Sequence, residues 1–229
     1  ITSVDQYKTL AKFDPTQPVD KARNRPPHSA VCYTAGMKLI FALGNPGARY
    51  ALTRHNSGFL LVDHLAAEQA VGFTPKPKLL ADIAQLTASC LTPNTTAEKV
   101  ILAKPTTFYN EAGRAAQAIM SFYRLSFDDI LVIHDDIAIS LGTVRVRRGG
   151  SDGGNNGLKS LHSHIGSDFW HIRIGTQTAQ SHQVPADKFV LMTLPAGERA
   201  LITDRVAPVV QSIVGQFIGH QITPHTIKV

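Results

Sequence analysis

A histidine, a pair of aspartates and a glycine-rich loop are the residues here whose types and spacing suit chemistry. His55 ends a turn-rich stretch that opens as Leu43-Gly-Asn-Pro-Gly, with Asn45 in the forced turn and Arg54 and Asn56 as its neighbours. An imidazole works as a general base near neutral pH when a carboxylate orients one of its nitrogens. Without that partner, a loop histidine reads equally as a helix cap or a surface residue. His134-Asp135-Asp136 supplies two carboxylates at the end of an apolar run. One acid can project into a cleft while the other stays solvated, although two solvated or turn-capping acids are the plainer reading. Paired carboxylates also suit magnesium, but no third acidic ligand stands nearby. The third loop, Gly149-Gly-Ser-Asp-Gly-Gly-Asn-Asn-Gly157, has backbone N–H groups that can cradle a phosphate where a helix begins. It is not a Walker A loop, because Leu158 separates Gly157 from Lys159, and it is not a GxGxxG fingerprint. Arg145, Arg147 and Arg148 lie just upstream, so an RNA-phosphate contact and a solvated strand edge both stay open.

Residues so far apart in the chain need a scaffold that gathers them. The run 37–43 (MKLIFAL) reads as a strand feeding the first loop, and apolar residues after Asn56 recur at helical spacing. Residues 79–91 are ambiguous by pattern, 99–103 (KVILA) read as a buried strand and 111–123 as a helix. A strand at 130–134, a basic strand at 143–148, a helix near 154–165 and a strand at 170–175 follow. Pro195 opens a long amphipathic helix reaching about Ile218. Strands alternating with helices predict one α/β domain over 37–229, a twisted mixed sheet flanked by helices. Loops at strand ends are where such domains bind ligands.

Composition agrees with a packed domain. The 229 residues are 43% hydrophobic and only 17% charged, which excludes a chain disordered throughout. No window offers the roughly 18 uninterrupted apolar residues of a membrane span. Lysine and arginine outnumber acids 23 to 17, a charge of +6 that permits a polyanionic partner without demonstrating one. Cys32 and Cys90 are too far apart for a CxxC pair and read as two unpaired thiols. His162 and His164 have no carboxylate or cysteine spaced beside them, so no metal site is expected there.

Several of these stretches match one family. Tyr50-Ala-Leu-Thr-Arg-His-Asn-Ser-Gly-Phe-Leu-Leu-Val-Asp63, following LGNPG, resembles the first signature of bacterial-type peptidyl-tRNA hydrolases. Lys104-Pro-Thr-Thr-Phe-Tyr-Asn-Glu-Ala-Gly113 is similar to the family's KPxTFMNxSG, and Ile133-His-Asp-Asp136 also matches. The resemblance runs from Met37 to about residue 219. It implies hydrolysis of the ester joining a peptide to the 3′ ribose of tRNA, with no metal or cofactor. By the same resemblance, His55 is the general base that activates water, and Asp135 fixes its tautomer and raises its basicity. Asn45 and Asn110 are expected to hold the peptide and the water, and Asn156 to help stabilise the oxyanion. Arg145, Arg147 and Arg173 are expected to grip acceptor-stem phosphates, with Tyr50, Arg148, Asn155 and Lys159 also contacting RNA.

The departures from the family pattern are specific. Gly153-Gly-Asn-Asn-Gly157 stands for GGHNG, so Asn155 replaces a substrate-facing histidine. Tyr109 replaces a methionine and is expected to add bulk at the rim of the site. Ala138 replaces an acid, and Arg173-Ile-Gly-Thr-Gln-Thr-Ala179 replaces RxGIGxP, which predicts an altered backbone at 175–179. These changes leave a second reading: a weakened or noncatalytic RNA-associated factor, such as a subunit docked on an organellar ribosome or a splicing-type protein. Residues 1–36, proline-rich and without periodicity, read as an irregular arm that could contact ribosome or rRNA. The first methionine is Met37, so the amino terminus reads as cleaved, truncated or missing, and the location as mitochondrial, with cytoplasmic or plastid alternatives. The domain itself is expected to be a monomer.

Overall fold

Met37–Ala42 forms the central strand β1, apolar on both faces because helices cover the sheet from both sides. Leu39 and Phe41 face one core, and Ile40 and Ala42 the other. The computed structural model describes residues 36–91 and 99–229, so the expected arm at 1–36 lies outside the described residues except for Gly36. After β1 come helix α1 (Ser57–Glu68), the short strand β2 (Thr74–Lys76), strand β3 (Ala81–Thr87) and strand β4 (Lys99–Pro105). Helix α2 (Ala112–Tyr123), strands β5 (Ile130–Ser140) and β6 (Thr143–Arg148), helix α3 (Asn156–Ile165) and strand β7 (Trp170–Gln177) follow. The chain ends with α4 (Ala186–Phe189), α5 (Ala196–Leu201), α6 (Ala207–Ile218) and β8 (His225–Lys228).

The strands make one eight-stranded mixed sheet, ordered β2-β3-β4-β1-β5-β7-β6-β8. Strands β4, β1, β5 and β7 run parallel, and antiparallel strands extend both edges. This is the expected α/β architecture. β1 sits between β4 and β5, so the chain leaves it to one side through α1 and later crosses to the other through α2. That reversal opens a crevice at the carboxyl ends of the central strands. α1 and α6 supply one core, α2 and α3 the other.

Four elements differ from expectation. β5 runs on to Ser140, through a register shift between Asp136 and Ser140 that the apolar pattern ending at His134 could not carry. β2 and β8 are short edge strands with mostly exposed side chains, so no burial pattern announces them. The long helix expected over 195–218 is helical but carries a π turn at Ile202–Val206. Pro208 has no N–H to bond back to Asp204, which frees the register to slip in this turn.

Near its start, β1 holds a buried lysine. Lys38 Nζ donates to Asp129 Oδ1 and to the Asp128 carbonyl, both at 2.9 Å. Burial alone would raise the Asp129 carboxyl, but the Ser126 hydroxyl and Lys38 outweigh it and hold it below its ordinary value. A carboxyl lowered in the folded state adds stability above its unfolded value of about 3.9 and loses it as pH falls through the folded value. Asp129→Asn is therefore expected to be less stable than the parent at pH 7. In urea unfolding, the two stability curves should converge as pH drops below about 4.

Candidate active site

The loop after β1 is fastened before it presents any chemistry. The Asn45 N–H donates to Asn56 Oδ1 and Asn56 Nδ2 donates back to the Asn45 carbonyl, both at 2.9 Å. Asn45 Oδ1 accepts the Tyr109 N–H at 3.0 Å, which leaves the Asn45 amide nitrogen to donate elsewhere. His55 lies on a single 3-10 turn, Arg54–Asn56, at the start of α1. That turn is pinned from the far end of the chain: the N–H groups of Arg54 and His55 donate to the carbonyls of Met192 and Val190 at 3.2 and 2.9 Å. The Arg54 guanidinium is fully buried, 4.2 Å over the Phe189 ring and 2.7 Å from Glu198 Oε2.

Asp135, midway along β5 and just past its last residue paired with β1, is 1% exposed and meets His55 there. His55 Nδ1 lies 2.8 Å from Asp135 Oδ1. A carboxylate only accepts, so Nδ1 carries the proton and Nε2 keeps its lone pair in the neutral ring. Tyr109, just after β4, stacks on the His55 ring with centroids 3.6 Å apart and planes 9° from parallel. Its hydroxyl donates to the same Oδ1 at 2.8 Å and accepts from Asn155 Nδ2 at 3.0 Å. Asn155 Oδ1 in turn accepts the N–H groups of Gly157 and Leu158 at 3.0 and 3.1 Å, capping α3. A side chain at Gly157 would bring its Cβ within 2.5 Å of the Tyr109 ring, so the glycine makes room for it.

Three expectations need correction. Tyr109 is not at the rim: it is buried, because its hydroxyl finds two polar partners inside and its ring packs on His55. Burial, and next the charge of Asp135, hold the hydroxyl well above its ordinary pKa, so it stays protonated and donates. Asn155, expected to face the substrate, lines the cleft but has both ends of its amide engaged within the protein. Asp136, the acid with a chance of staying solvated, is gripped instead by Arg173, Nε to Oδ2 at 2.6 Å.

These groups border a cleft of about 680 Å³. Asn45, His55 and Asp135 line it together with Asn110, Asn156, Arg147, Arg173 and the glycine-rich loop. Asn110, Asn156 and Arg147 are exposed along its walls. The remaining basic residues scatter. Arg145 is half-buried opposite Arg173 across the β6–β7 pair, and Lys159 is exposed on α3. Tyr50 lies under the Arg49 guanidinium, at 4.5 Å. Arg148 turns to Asp128 and Asp168, at 2.7 and 3.0 Å, rather than to the cleft, because alternation along β6 sends its side chain to the face opposite Arg147, where those acids offer it charge partners. Behind the glycine loop, His134 Nε2 meets His171 Nδ1 at 3.0 Å, an arrangement with no sequence signal beyond two histidines on separate strands. Burial, and next His134, push His171 down to about 3. The 175–179 segment continues β7 to Gln177, and Gly175 is required there because a Cβ would strike the Ser140 carbonyl at 2.1 Å. Among the described residues, no group of three or more His, Cys, Asp or Glu side chains gathers as a metal site.

The family model described as peptidyl-tRNA hydrolase matches residues 39–227. The chain belongs to the peptidyl-tRNA hydrolase family. A crystal structure of peptidyl-tRNA hydrolase with n-propanol is similar at 32% identity and a TM-score of 0.71, over 81% of this chain and 90% of that one. Peptidyl-tRNA hydrolase from Acinetobacter baumannii is similar at 31% identity and a TM-score of 0.70, over 82% and 91%. Family and fold are those of carboxylic ester hydrolases whose activity is cleavage of peptidyl-tRNA.

Within this family scaffold, the Arg54–Glu198 pair ties the histidine turn to the carboxyl-terminal helices. Removing one partner of a buried ion pair leaves the other charge uncompensated. Glu198→Ala is expected to lower unfolding stability by about 3–5 kcal/mol. Urea denaturation followed by circular dichroism checks it.

Proposed function

We propose that this peptidyl-tRNA hydrolase cleaves its ester with His55 as the general base. Water, polarised by His55 Nε2, attacks the ester carbonyl carbon and passes a proton to the ring. The charge that develops on the carbonyl oxygen is met by side-chain amides, Asn156 first, while Asn45 and Asn110 hold the peptide and the water. Collapse breaks the bond to the ribose 3′ oxygen, which takes the proton from Nε2. Peptide acid and free tRNA leave. An ester of this kind is activated enough for a positioned water, so no covalent nucleophile is required.

The single observation that carries this reading is the 2.8 Å bond from His55 Nδ1 to Asp135, which turns Nε2 into the basic nitrogen. It favours a working hydrolase over the noncatalytic alternative, because the base and its orienting acid are both present and bonded. Arg147, exposed on the cleft wall, is the best placed cation for an acceptor-stem phosphate, with Arg145 and Lys159 nearby in sequence as further contributors. A monomeric domain, a mitochondrial setting and ribosome contact through residues 1–36 complete the proposal. Co-sedimentation with ribosomes, with and without those residues, tests the last.

Release of peptide from purified peptidyl-tRNA tests the chemistry. His55→Ala is expected to lower kcat by about 10²–10⁴-fold. Equal inactivity of wild type and His55→Ala would sink the hydrolase reading. Arg147→Ala is expected to raise KM with kcat nearly unchanged, and to reduce the salt dependence of binding by about one counterion.

A further inference from the structure

Two departures from the family pattern touch each other. Tyr109 stands where the family motif has methionine and Asn155 where it has histidine, and they share a 3.0 Å hydrogen bond. A methionine at 109 would leave Asn155 Nδ2 without the acceptor it now has, so each residue makes sense of the other. We propose that Tyr109 and Asn155 form one positioning unit for His55, resting on its role as the base, in which the start of α3 orients Asn155, Asn155 orients the Tyr109 hydroxyl, and Tyr109 fixes both Asp135 and the imidazole.

Hydrogen counting gives the unit a single direction. Asn155 Oδ1 accepts two backbone N–H groups of α3, so its amide cannot flip without losing the cap. Nδ2 therefore donates to the tyrosine oxygen. A tyrosine hydroxyl has one hydrogen, and it goes to Asp135 Oδ1. A donor into that oxygen strengthens the tyrosine as a donor in turn, because bonds in a chain polarise one another. Asp135 Oδ1 thus receives two donors, the hydroxyl and His55 Nδ1. The hydroxyl draws charge from the oxygen that would otherwise hold an imidazolium more tightly. The parallel ring stack restrains rotation of the same imidazole. Tyr109 and Asn155 are positioning residues: they hold and temper the base without taking a proton.

The test uses the whole chain as wild type, Tyr109→Phe, Asn155→Ser and the double variant. Phenylalanine keeps the ring stack and removes the hydroxyl; serine keeps a good helix cap and removes the amide donor. An NMR titration of the His55 imidazole reads the effect without substrate. The midpoint in Tyr109→Phe is expected to rise by about 0.5–1 pH unit over wild type. Asn155→Ser is expected to rise less, and the double variant to match Tyr109→Phe, because Asn155 acts only through the hydroxyl. The acid limb of kcat/KM should move with the midpoint. An unmoved midpoint in Tyr109→Phe, or effects of the two variants that simply add, overturns the positioning unit. Absent turnover with shifted midpoints overturns the hydrolase reading and leaves the unit standing.

Discussion

The structure depends on one buried carboxylate. Asp135 is almost wholly removed from water, and an unpaired charge in that position would cost several kcal/mol. Its Oδ1 is satisfied by two side-chain donors that belong to neither its own strand nor each other's loop. His55 arrives from the loop after β1 and Tyr109 from the loop after β4. Both can reach because β1 lies between β4 and β5 in the sheet, so the ends of β4 and β1 and the middle of β5 open onto one crevice. Strand order thus places the carboxylate, and the carboxylate's need for partners draws the loops in.

A second ring of contacts makes the site depend on the far end of the chain. The turn bearing His55 donates two backbone bonds to the segment before α5, and Arg54 reaches Glu198 on α5 itself. The glycines act at contact distance in the same region. Gly157 lets α3 start against the Tyr109 ring, and a Cβ at Gly58 would come within 2.6 Å of the carbonyls of Leu43, just past β1, and Ile133, within β5. The site gathers around β1, β4 and β5, with Asn45 on the loop after β1, Asn110 on a 3-10 turn and Asn156 at the start of α3.

Much of this was legible in the sequence, for identifiable reasons. The central strands announce themselves as unbroken apolar runs because both their faces are buried, and α2 and α3 by helical periodicity over one buried face. Edge strands β2 and β8 carry no such signal. His55 and Asp135 were legible through motif resemblance, while their bond depends on a strand order that no local pattern encodes. Tyr109 misled because size was the visible change against the family motif. The decisive property was its hydroxyl, whose partners lie 26 and 46 residues away in sequence. Arg148 misled for a related reason: its sequence neighbours are basic, and its acids sit on other elements.

Net charge looks different once the pairs are known. The sequence excess is +6, and the family resemblance assigns Arg145, Arg147, Arg148 and Arg173 to RNA contact. Arg173 is closed onto Asp136 and Arg148 onto two acids, so neither presents an unbalanced charge. Arg173 instead builds the floor of the cleft, bracing the residue next to Asp135. Exposed Arg147, by contrast, has water as its competitor, and a phosphate that displaces its counterions gains from their release. Screening acts on the two kinds of arginine unequally: it largely removes attraction between exposed charges beyond about 10 Å at 0.1 M salt, and acts less on a partly buried pair. Added salt therefore loosens whatever the cleft wall attracts before it disturbs the geometry around the base.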